Sequence, residues 1–294
     1  MKLSIMAKAK YFFVLSFLLV VGSFYVWFAR GEEKYGVDFM GGHQFTVQAG
    51  AEATSESLTN VLKDSGISDA VVQSFQGSDA QFTVRMGGAD TEPKAMRSRI
   101  ESVLKTAYAD QAVILQSDYI GPTIGKELRM SALIASALAA LGILGYIAYR
   151  FEFSFAMGAV IAIFHDVVIA MGIYLWAGYE INMSTIAGVL TLMGYSVNDT
   201  VVIFDRIREY ILKRKDAPLV ALMDEAISST LSRTVVTGLL TLFSVSALLF
   251  WGGGAIADLS FFLFVGIIVG CYSTIFIATP YVLVWERVMG RKYD

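Results

Sequence analysis

The sequence predicts an α-helical integral membrane protein with six transmembrane helices and one α+β domain of the ferredoxin-like βαββαβ type outside the membrane. Hydrophobic residues make up 55% of the chain and charged residues only 17%, a balance that argues against an ordinary soluble domain. Six apolar runs are each long enough to cross a hydrocarbon core of about 30 Å, which needs about 20 helical residues. A polar segment separates the first run from the other five.

The first of the six runs is predicted to be a retained anchor. Lysines precede it, as in a signal peptide, but its apolar core is longer than usual and Trp27 stands where cleavage needs a small residue. The single cysteine, Cys271, lies in the last run, so no disulfide framework or cysteine metal site is expected. The predicted spans are residues 11–29, 130–149, 153–177, 184–205, 234–251 and 259–285.

The polar segment at residues 30–129 is predicted to fold as an extracytoplasmic domain, between an N-terminal part at 1–29 and a five-helix part at 130–294. Alternating or β-branched residues predict four strands, and Thr91 and Pro93 mark the start of the second of two helices. The order βαββαβ is that of the split βαβ unit. The only histidine here is His43, so we predict no metal, no cofactor and no catalytic constellation. The strands are predicted at 44–48, 70–75, 81–86 and 112–116, and the helices at 54–64 and 92–108.

Lysine and arginine residues predict the orientation of the spans. They occur before the first span, between the second and third, between the fourth and fifth, and after the sixth, whereas the loops at 178–183 and 252–258 have none. Because short cytoplasmic loops are enriched in these residues, we predict that both termini are cytoplasmic. The segment 207–232, which mixes basic and apolar residues, is predicted to be an amphipathic element that lies along the membrane.

The most informative residue is Asp199, because it lies within the apolar run of the fourth span. A carboxylate at a helix centre is disfavoured by roughly 2.5–3.5 kcal/mol on insertion scales, and such residues often mark proton or ion pathways. Burial favours the neutral acid and a nearby Arg233 favours the carboxylate, so an ion pair with Arg233 would keep Asp199 ready to exchange protons. The alternative is a polar residue that only joins helices. Polar stripes on the two spans comprise Thr191, Tyr195, Asn198 and Asp199, and Arg233, Thr237, Thr241 and Ser244.

The third span adds His165 and Asp166 near its middle. Neighbouring helix positions point about 100° apart, so at most one of the two faces Asp199 directly. A histidine titrates near neutral pH and is suited to relaying protons. A hydrogen-bonded packing pair is the other interpretation, and the sequence leaves both open.

Four motifs, in the same order along the chain, resemble those of the SecF family, the membrane subunits that partner SecD in bacterial protein secretion. The resemblance extends over essentially the whole chain and, because four motifs coincide, it is specific. The motifs are GVDFMGG at 36–42, IGPTIGKEL at 120–128, GYSVNDTVVIFDRIRE at 194–209 and STLSRT at 229–234.

The resemblance implies a function that the residues alone do not. Proteins of this family pair with SecD to form a pseudosymmetric twelve-span unit of the resistance-nodulation-division superfamily in the bacterial inner membrane. They associate with the SecYEG channel, with YajC and YidC as further candidate partners. The unit uses the proton motive force to promote late translocation and release of unfolded preprotein. We expect the chain to be a complete subunit of this kind.

The resemblance also implies roles for particular residues. The proton-path carboxylate of the family falls on Asp199 and its arginine on Arg233, and Asn198 and Tyr195 belong to the same motif. The GVDFMGG segment falls at the junction between the first span and the domain. Its junction residues are Gly36, Asp38, Phe39, Gly41 and Gly42.

The sequence argues against several other functions and leaves two alternatives open. A net charge of −3 and the lack of a basic patch argue against nucleic-acid binding. Intramembrane proteolysis is disfavoured because Asp199 lacks a GxGD motif and no HExxH occurs, so no enzyme activity is expected. A proton-coupled small-solute exporter of the same superfamily and a structural assembly factor without proton chemistry remain as alternatives.

Overall fold

The computed structural model describes residues 5–50, 52–74, 80–87, 92–214, 217–252 and 254–289. Within these ranges six helical segments are long and apolar enough to cross a membrane, which confirms the predicted number of spans. In chain order the elements are α1 (Ala9–Ala29), α2 (Val37–Met40), β1 (Gly42–Gln48), α3 (Ser55–Asp64), β2 (Val71–Ser74), β3 (Gln81–Met86), α4 (Pro93–Tyr108), β4 (Val113–Ile120), α5 (Pro122–Arg150), α6 (Phe153–Trp176), α7 (Met183–Lys213), α8 (Leu219–Trp251), α9 (Gly254–Ser273) and α10 (Thr279–Val288).

The domain between α1 and α5 contains the predicted βαββαβ order. Its four strands form one antiparallel sheet in the order β2-β3-β1-β4, which is the arrangement expected of a ferredoxin-like fold. Strand β4 continues to Ile120, beyond the predicted end at residue 116, because its last residues still pair with β1. Phe75 and Thr91, which the predicted elements included, lie outside the described residues.

One face of the sheet forms the domain core with α3 and α4. Phe45 on β1 is paired with Val84 on β3, and both side chains are fully buried. Leu62 of α3 and Ile100 of α4 cover them. Helix α3 begins at a capping box in which Thr54 accepts a hydrogen bond from the Ser57 amide. The opposite face, which carries Gln44, Thr46, Thr83 and Arg85, therefore turns toward the membrane helices.

Small residues let the membrane helices pack closely. A side chain at Gly172 of α6 would overlap Ser23 of α1, and one at Gly266 of α9 would come within 2.6 Å of Leu192 of α7. Close backbone approach of this kind is the usual basis of helix association in membranes, where no hydrophobic force draws helices together. Helices α6, α7 and α9 form the centre of the bundle around Leu192 and Phe262.

The second membrane helix begins earlier in the chain than predicted. Helix α5 begins at Pro122, with Gly121 as its N-cap, so the predicted domain boundary between residues 129 and 130 falls inside this helix. Proline is well suited to the first helical turn, where its missing N–H costs no hydrogen bond. Because α5 starts directly after β4, the sheet is joined to the membrane part without a linker.

The predicted amphipathic element at 207–232 is wrong as a separate element. Most of its described residues belong to the end of α7, which runs to Lys213, and to the beginning of α8, which starts at Leu219. These residues continue the two membrane helices. Ile207, Met223 and Ile227 are buried in a core with Phe155 and Phe204, and this packing outweighs the amphipathic pattern. Lys215, part of that pattern, lies outside the described residues.

The last span is interrupted between α9 and α10 by a π-helical turn at Thr274–Ala278. Pro280 has no N–H with which to continue the α-helical bonding pattern, and the Thr279 hydroxyl instead donates to the Thr274 carbonyl at 3.0 Å. The Thr274 hydroxyl lies 3.1 Å from that of Thr200 on α7. The irregular turn therefore packs next to the helix that carries Asp199.

Candidate functional site

A chain of hydrogen bonds crosses the interior of the membrane helices. His165 Nδ1 lies 2.9 Å from Asp166 Oδ1, and the Ser196 hydroxyl of α7 donates to Asp166 Oδ2 at 2.6 Å. On the other side, His165 Nε2 lies 3.2 Å from the Tyr272 hydroxyl, which is 3.2 Å from the Ser16 hydroxyl of α1. A neutral imidazole with its proton on Nδ1 satisfies this whole arrangement.

This network of hydrogen bonds includes both His165 and Asp166. Their side chains bond to each other and then diverge, Asp166 toward α7 and His165 toward Tyr272 of α9 and α1. Ser196 precedes Asp199 by three residues on α7, so Asp166 reaches the same turn of that helix as Asp199 without contacting it. The hydrogen bonds are therefore those expected of a packing pair. They also form a continuous path along which a proton could be relayed.

Asp199 itself is buried, with 4% of its surface exposed. Its carboxylate makes no hydrogen bond and no ion pair with another residue in the described part of the chain. The charges of Asp199 and Arg233 are close enough to interact, and Tyr195 and Cys271 also lie within the field of the carboxylate. Asp199 thus has charged and polar neighbours but no fixed partner among them.

The predicted ion pair between Asp199 and Arg233 is not formed in this conformation. Arg233 lies on an exposed face of α8, whereas Asp199 points into the bundle, and no contact within 4.0 Å joins the two among the described residues. Tyr195 is turned toward α8, where its hydroxyl lies beside Thr237 and Thr241. Asn198 is exposed. The polar stripes of α7 and α8 therefore contact each other only near Tyr195. Asn198 of α7 and Arg233 of α8 remain on the outside of the bundle.

The junction motif is held against the membrane helices. The Gly36 amide donates to the Ile181 carbonyl at 2.9 Å, and Asp38 Oδ2 accepts a hydrogen bond from the Met183 amide at 2.8 Å. Phe39 is buried beside Ala132, which belongs to α5. These contacts tie α2 to the loop between α6 and α7 and to α5. Whether the motif acts as a hinge stays a prediction.

Gly41 and Gly42 turn the chain sharply from α2 into β1. Their φ angles are +78° and +140°, values that side chains of L-residues rarely adopt. A Cβ atom on Gly41 would lie 2.9 Å from the Pro122 Cα, and one on Gly42 would collide with the Met86 carbonyl oxygen. Both glycines are thus required by the turn itself.

Gly42→Ala is therefore expected to destabilise the domain. The positive φ alone costs of order 1–3 kcal/mol in a residue with a side chain, and the collision with Met86 adds to it. Hydrogen exchange at the β1 and β3 amides measures the loss. Gly142→Ala is the control, because no described residue lies within 4 Å of a Cβ at that position. Equal protection in the two variants would show that the turn tolerates a side chain.

A second polar cluster, unforeseen from the sequence, joins the sheet to the membrane helices. We call it the Arg85 cluster: Arg85 of β3, Glu180 of the loop between α6 and α7, and Asp258 of α9. The Arg85 guanidinium lies 3.3 Å from Glu180 and 3.6 Å from Asp258, and the side chains are largely buried. Burial raises the pKa of Glu180, and the opposing effect of Arg85 does not fully offset it.

Amide side chains complete the Arg85 cluster. Arg85 donates to Gln44 at 3.2 Å and to Gln73 at 3.0 Å, and Gln73 in turn donates to the Gly178 carbonyl at 2.9 Å. Asn182 donates to Asp258 at 3.0 Å. A cavity of about 670 Å³, lined mainly by polar side chains of the sheet and by the loops below it, adjoins the cluster. The sheet therefore rests on the membrane helices through charges and amides rather than through apolar packing.

Sequence reasoning missed Ser16, Ser196 and Tyr272 as members of the buried chain, and all of the Arg85 cluster. Ser196 stands inside the motif around Asp199, so its position was a usable signal. Tyr272 and Ser16 carried none, because isolated hydroxyl groups are common in membrane spans. The members of the Arg85 cluster come from distant parts of the chain and each resembles an ordinary surface charge.

Comparison with known proteins agrees with this architecture. A family model described as "Protein export membrane protein SecD/SecF, C-terminal" matches residues 99–288. The protein translocase subunit SecF of Desulfurispirillum indicum is 39% identical over 86% of this chain and 82% of its own length. That of Calditerrivibrio nitroreducens is 36% identical over 97% of this chain and 95% of its own.

A solved structure extends the comparison to the fold. The crystal structure of SecDF, a translocon-associated membrane protein from Thermus thermophilus, matches with a TM-score of 0.86 and 37% identity. The match covers 96% of this chain and 38% of that longer protein. The family model covers more than half of the chain, and the SecF relatives match over nearly their whole length. The chain therefore belongs to the SecD/SecF family of protein-export membrane proteins.

Proposed function

We propose that this chain is an accessory subunit of the Sec protein translocase that pairs with SecD and uses the proton motive force. In this proposal the unit promotes late translocation of unfolded preprotein and its release on the outer side of the membrane. The role requires no making or breaking of covalent bonds, no cofactor and no metal. The observation that carries the proposal is Asp199, a buried membrane carboxylate with no fixed partner among the described residues and an arginine on the neighbouring helix.

Protonation of Asp199 would supply the mechanical step. One charge that moves through a potential of 100 mV gains about 2.3 kcal/mol, enough to shift an equilibrium between two helix arrangements by more than tenfold. When Asp199 is charged, attraction to Arg233 favours an approach of α7 and α8, and when it is neutral that attraction is lost. The bonded chain through Asp166 and His165 adds a connection from α7 to α1.

SecD is the proposed partner because one face of the membrane helices is polar and exposed. Asn198 of α7 and Arg233 of α8 are both exposed although they belong to membrane-spanning helices. Polar groups inside a membrane almost always face other helices or a water-filled path. A second set of spans would cover this face. The fused relative from Thermus thermophilus, a SecDF subunit in a single chain, supports such a pairing.

We place the protein in the bacterial inner membrane with both termini in the cytoplasm and the domain outside. The helix ends farthest from the domain carry Arg150 and Arg208, in agreement with the enrichment of positive residues in cytoplasmic loops. The other positive residues of the chain ends, Lys2, Arg291 and Lys292, lie outside the described residues. SecYEG, YajC and YidC are proposed as associated proteins from family membership alone.

Export in membrane vesicles tests the function. Vesicles depleted of this chain are expected to keep ATP-driven export but to lose its stimulation by a proton gradient, and added chain should restore it. A structural assembly factor would instead support export to the same extent with and without the gradient. A small-solute exporter would leave preprotein export unchanged on depletion, and either result would overturn the proposal.

Arg233→Met is expected to lower gradient stimulation severalfold. The substitution removes the positive charge that acts on Asp199 and keeps a flexible, unbranched stem in its place. Stimulated export in vesicles is the measurement, and Arg206→Met is the control. Arg206 lies on the surface of α7 and pairs at 2.7 Å with Glu209, an exposed contact that contributes little. Equal gradient stimulation in the two variants would show that Arg233 has no role in coupling export to the proton gradient.

A further inference from the structure

A cleft opens between the first two membrane helices. Helices α1 and α5 both pack against α6 but make little contact with each other, and a cavity of about 380 Å³ remains between them. Its size is in the range of small-molecule sites, and its walls are almost wholly apolar. Leu133 and Phe164, which line it, are 59% and 62% exposed, so the cleft opens sideways rather than into the bundle.

Arg129 lines the cleft at the end nearest the domain, and a second cation, Lys34, is buried behind the aromatic rings of that end. The Arg129 guanidinium lies 4.1 Å from the Tyr35 ring centroid and donates to the Tyr35 hydroxyl at 2.9 Å. The Lys34 ammonium lies 4.9 Å from the Trp27 ring centroid and donates to the Gly31 carbonyl. Tyr35, Trp27 and Arg129 all line the cleft.

These cations lack acidic partners within the described residues. No carboxylate lies within 4.0 Å of either group, although Lys34 is only 7% exposed. Rings and a carbonyl oxygen offset part of the positive charge, and several N–H donors of Arg129 remain unused. An anionic group bound at this end of the cleft would balance the positive charge of Arg129 and Lys34.

We propose that the cleft binds an anionic phospholipid. Its phosphate would accept hydrogen bonds from Arg129, with Lys34 adding positive charge, and one acyl chain would lie along Phe164 and Val168. The class of ligand follows from an apolar cleft at membrane depth with cations and aromatic rings at its end, because arginine binds phosphate through charge-assisted hydrogen bonds and aromatic rings favour the level of the head groups. A zwitterionic lipid would fill the cleft but would not supply the net negative charge.

Lipid binding to the protein, purified with its partner subunits, tests this inference. Native mass spectrometry would follow titration with dioleoyl-phosphatidylglycerol and with dioleoyl-phosphatidylcholine, which have the same acyl chains. We expect the wild type to bind phosphatidylglycerol about tenfold more tightly, the difference that one charge-assisted contact provides. Arg129→Gln should abolish this preference, and Val168→Trp should weaken the binding of both lipids because it fills the cleft.

Matched controls distinguish the site from the general surface. Lys126→Gln removes an exposed cation one turn from Arg129, and Leu138→Trp introduces the same side chain at an exposed position of α5 outside the cleft. Neither should change the lipid preference. The proposal is overturned if Lys126→Gln has the same effect as Arg129→Gln, or if Val168→Trp binds as the wild type does. Lipid that binds the isolated chain but not the complex would also overturn it, because a partner helix would then occupy the cleft.

Discussion

Asp199→Asn is expected to abolish the gradient-stimulated part of export while the chain still folds and assembles. Asparagine keeps the size and polarity of the side chain but cannot change its charge, so the electrical work of about 2.3 kcal/mol per 100 mV can no longer be coupled to helix movement. Because the carboxylate makes no hydrogen bond with a described residue, the substitution breaks no fixed contact among them. Export in vesicles with and without a gradient measures the loss.

Asp205→Asn provides the matched control for this prediction. Asp205 lies on the same helix, and its pair with Arg150 at 3.3 Å is exposed to solvent. Exposed pairs of this kind contribute about 0–1 kcal/mol, so stimulation should remain near the wild-type level. Full stimulation in the Asp199→Asn variant would assign the residue to helix association only. Loss of the assembled complex in that variant would point to the same conclusion.

Arg85→Met is expected to release the domain from the membrane helices. The substitution leaves the carboxylates of Glu180 and Asp258 buried without their common positive partner, and breaking a buried ion pair in this way costs roughly 3–5 kcal/mol. Hydrogen exchange at the Ile181 and Gly36 amides, which bond across the junction, measures the release. Arg99→Met is the control, because among the described residues Arg99 bonds only to the exposed carbonyl groups of Ser65 and Gly66 within the domain.

The Arg85→Met defect should depend on pH. Burial already raises the pKa of Glu180, and without Arg85 only the positive charge of Arg30 opposes this rise, to which the charge of Asp258 adds. A carboxyl group whose pKa is raised by folding stabilises the folded state below its unfolded pKa, near 4.3, and loses that contribution as the pH rises through the folded pKa. Docking of the variant should therefore recover as the pH falls toward 4. Adding Glu180→Gln and Asp258→Asn should recover part of it at neutral pH, and no recovery in either case would exclude charge as the cause.

The sequence predicts which helices and strands are present better than it predicts where each of them begins and ends. Apolar runs identify six spans because a bilayer demands length, and alternation identifies β1 and β3 because one face of the sheet is buried. The start of α5 at Pro122 was missed because polar residues such as Lys126 and Arg129 precede its apolar run. Similarly, α7 and α8 continue past their apolar parts because Ile207 and Met223 pack into the same core as Phe155.

The residues of the candidate site could be predicted only where the sequence itself shows a charged side chain within an apolar run. Asp199 and Asp166 stand out because a carboxylate is rare in an apolar run. The direction of the Arg233 side chain is not visible, since a stripe of polar residues can face a neighbouring helix or the outside equally well. The Arg85 cluster depends on the docking of a domain onto two loops, which no local pattern encodes.

The Arg85 cluster also has a consequence for the order in which the protein is made. The domain is complete once β4 has been synthesised, and the core of its sheet needs nothing from later parts of the chain. Asp258 follows only after four more membrane helices, and at about 5–20 residues per second this takes on the order of ten seconds or more. Until then Arg85 lacks Asp258, and before the loop after α6 is made it lacks Glu180 as well. The newly made domain is therefore folded before it can dock fully onto the membrane helices.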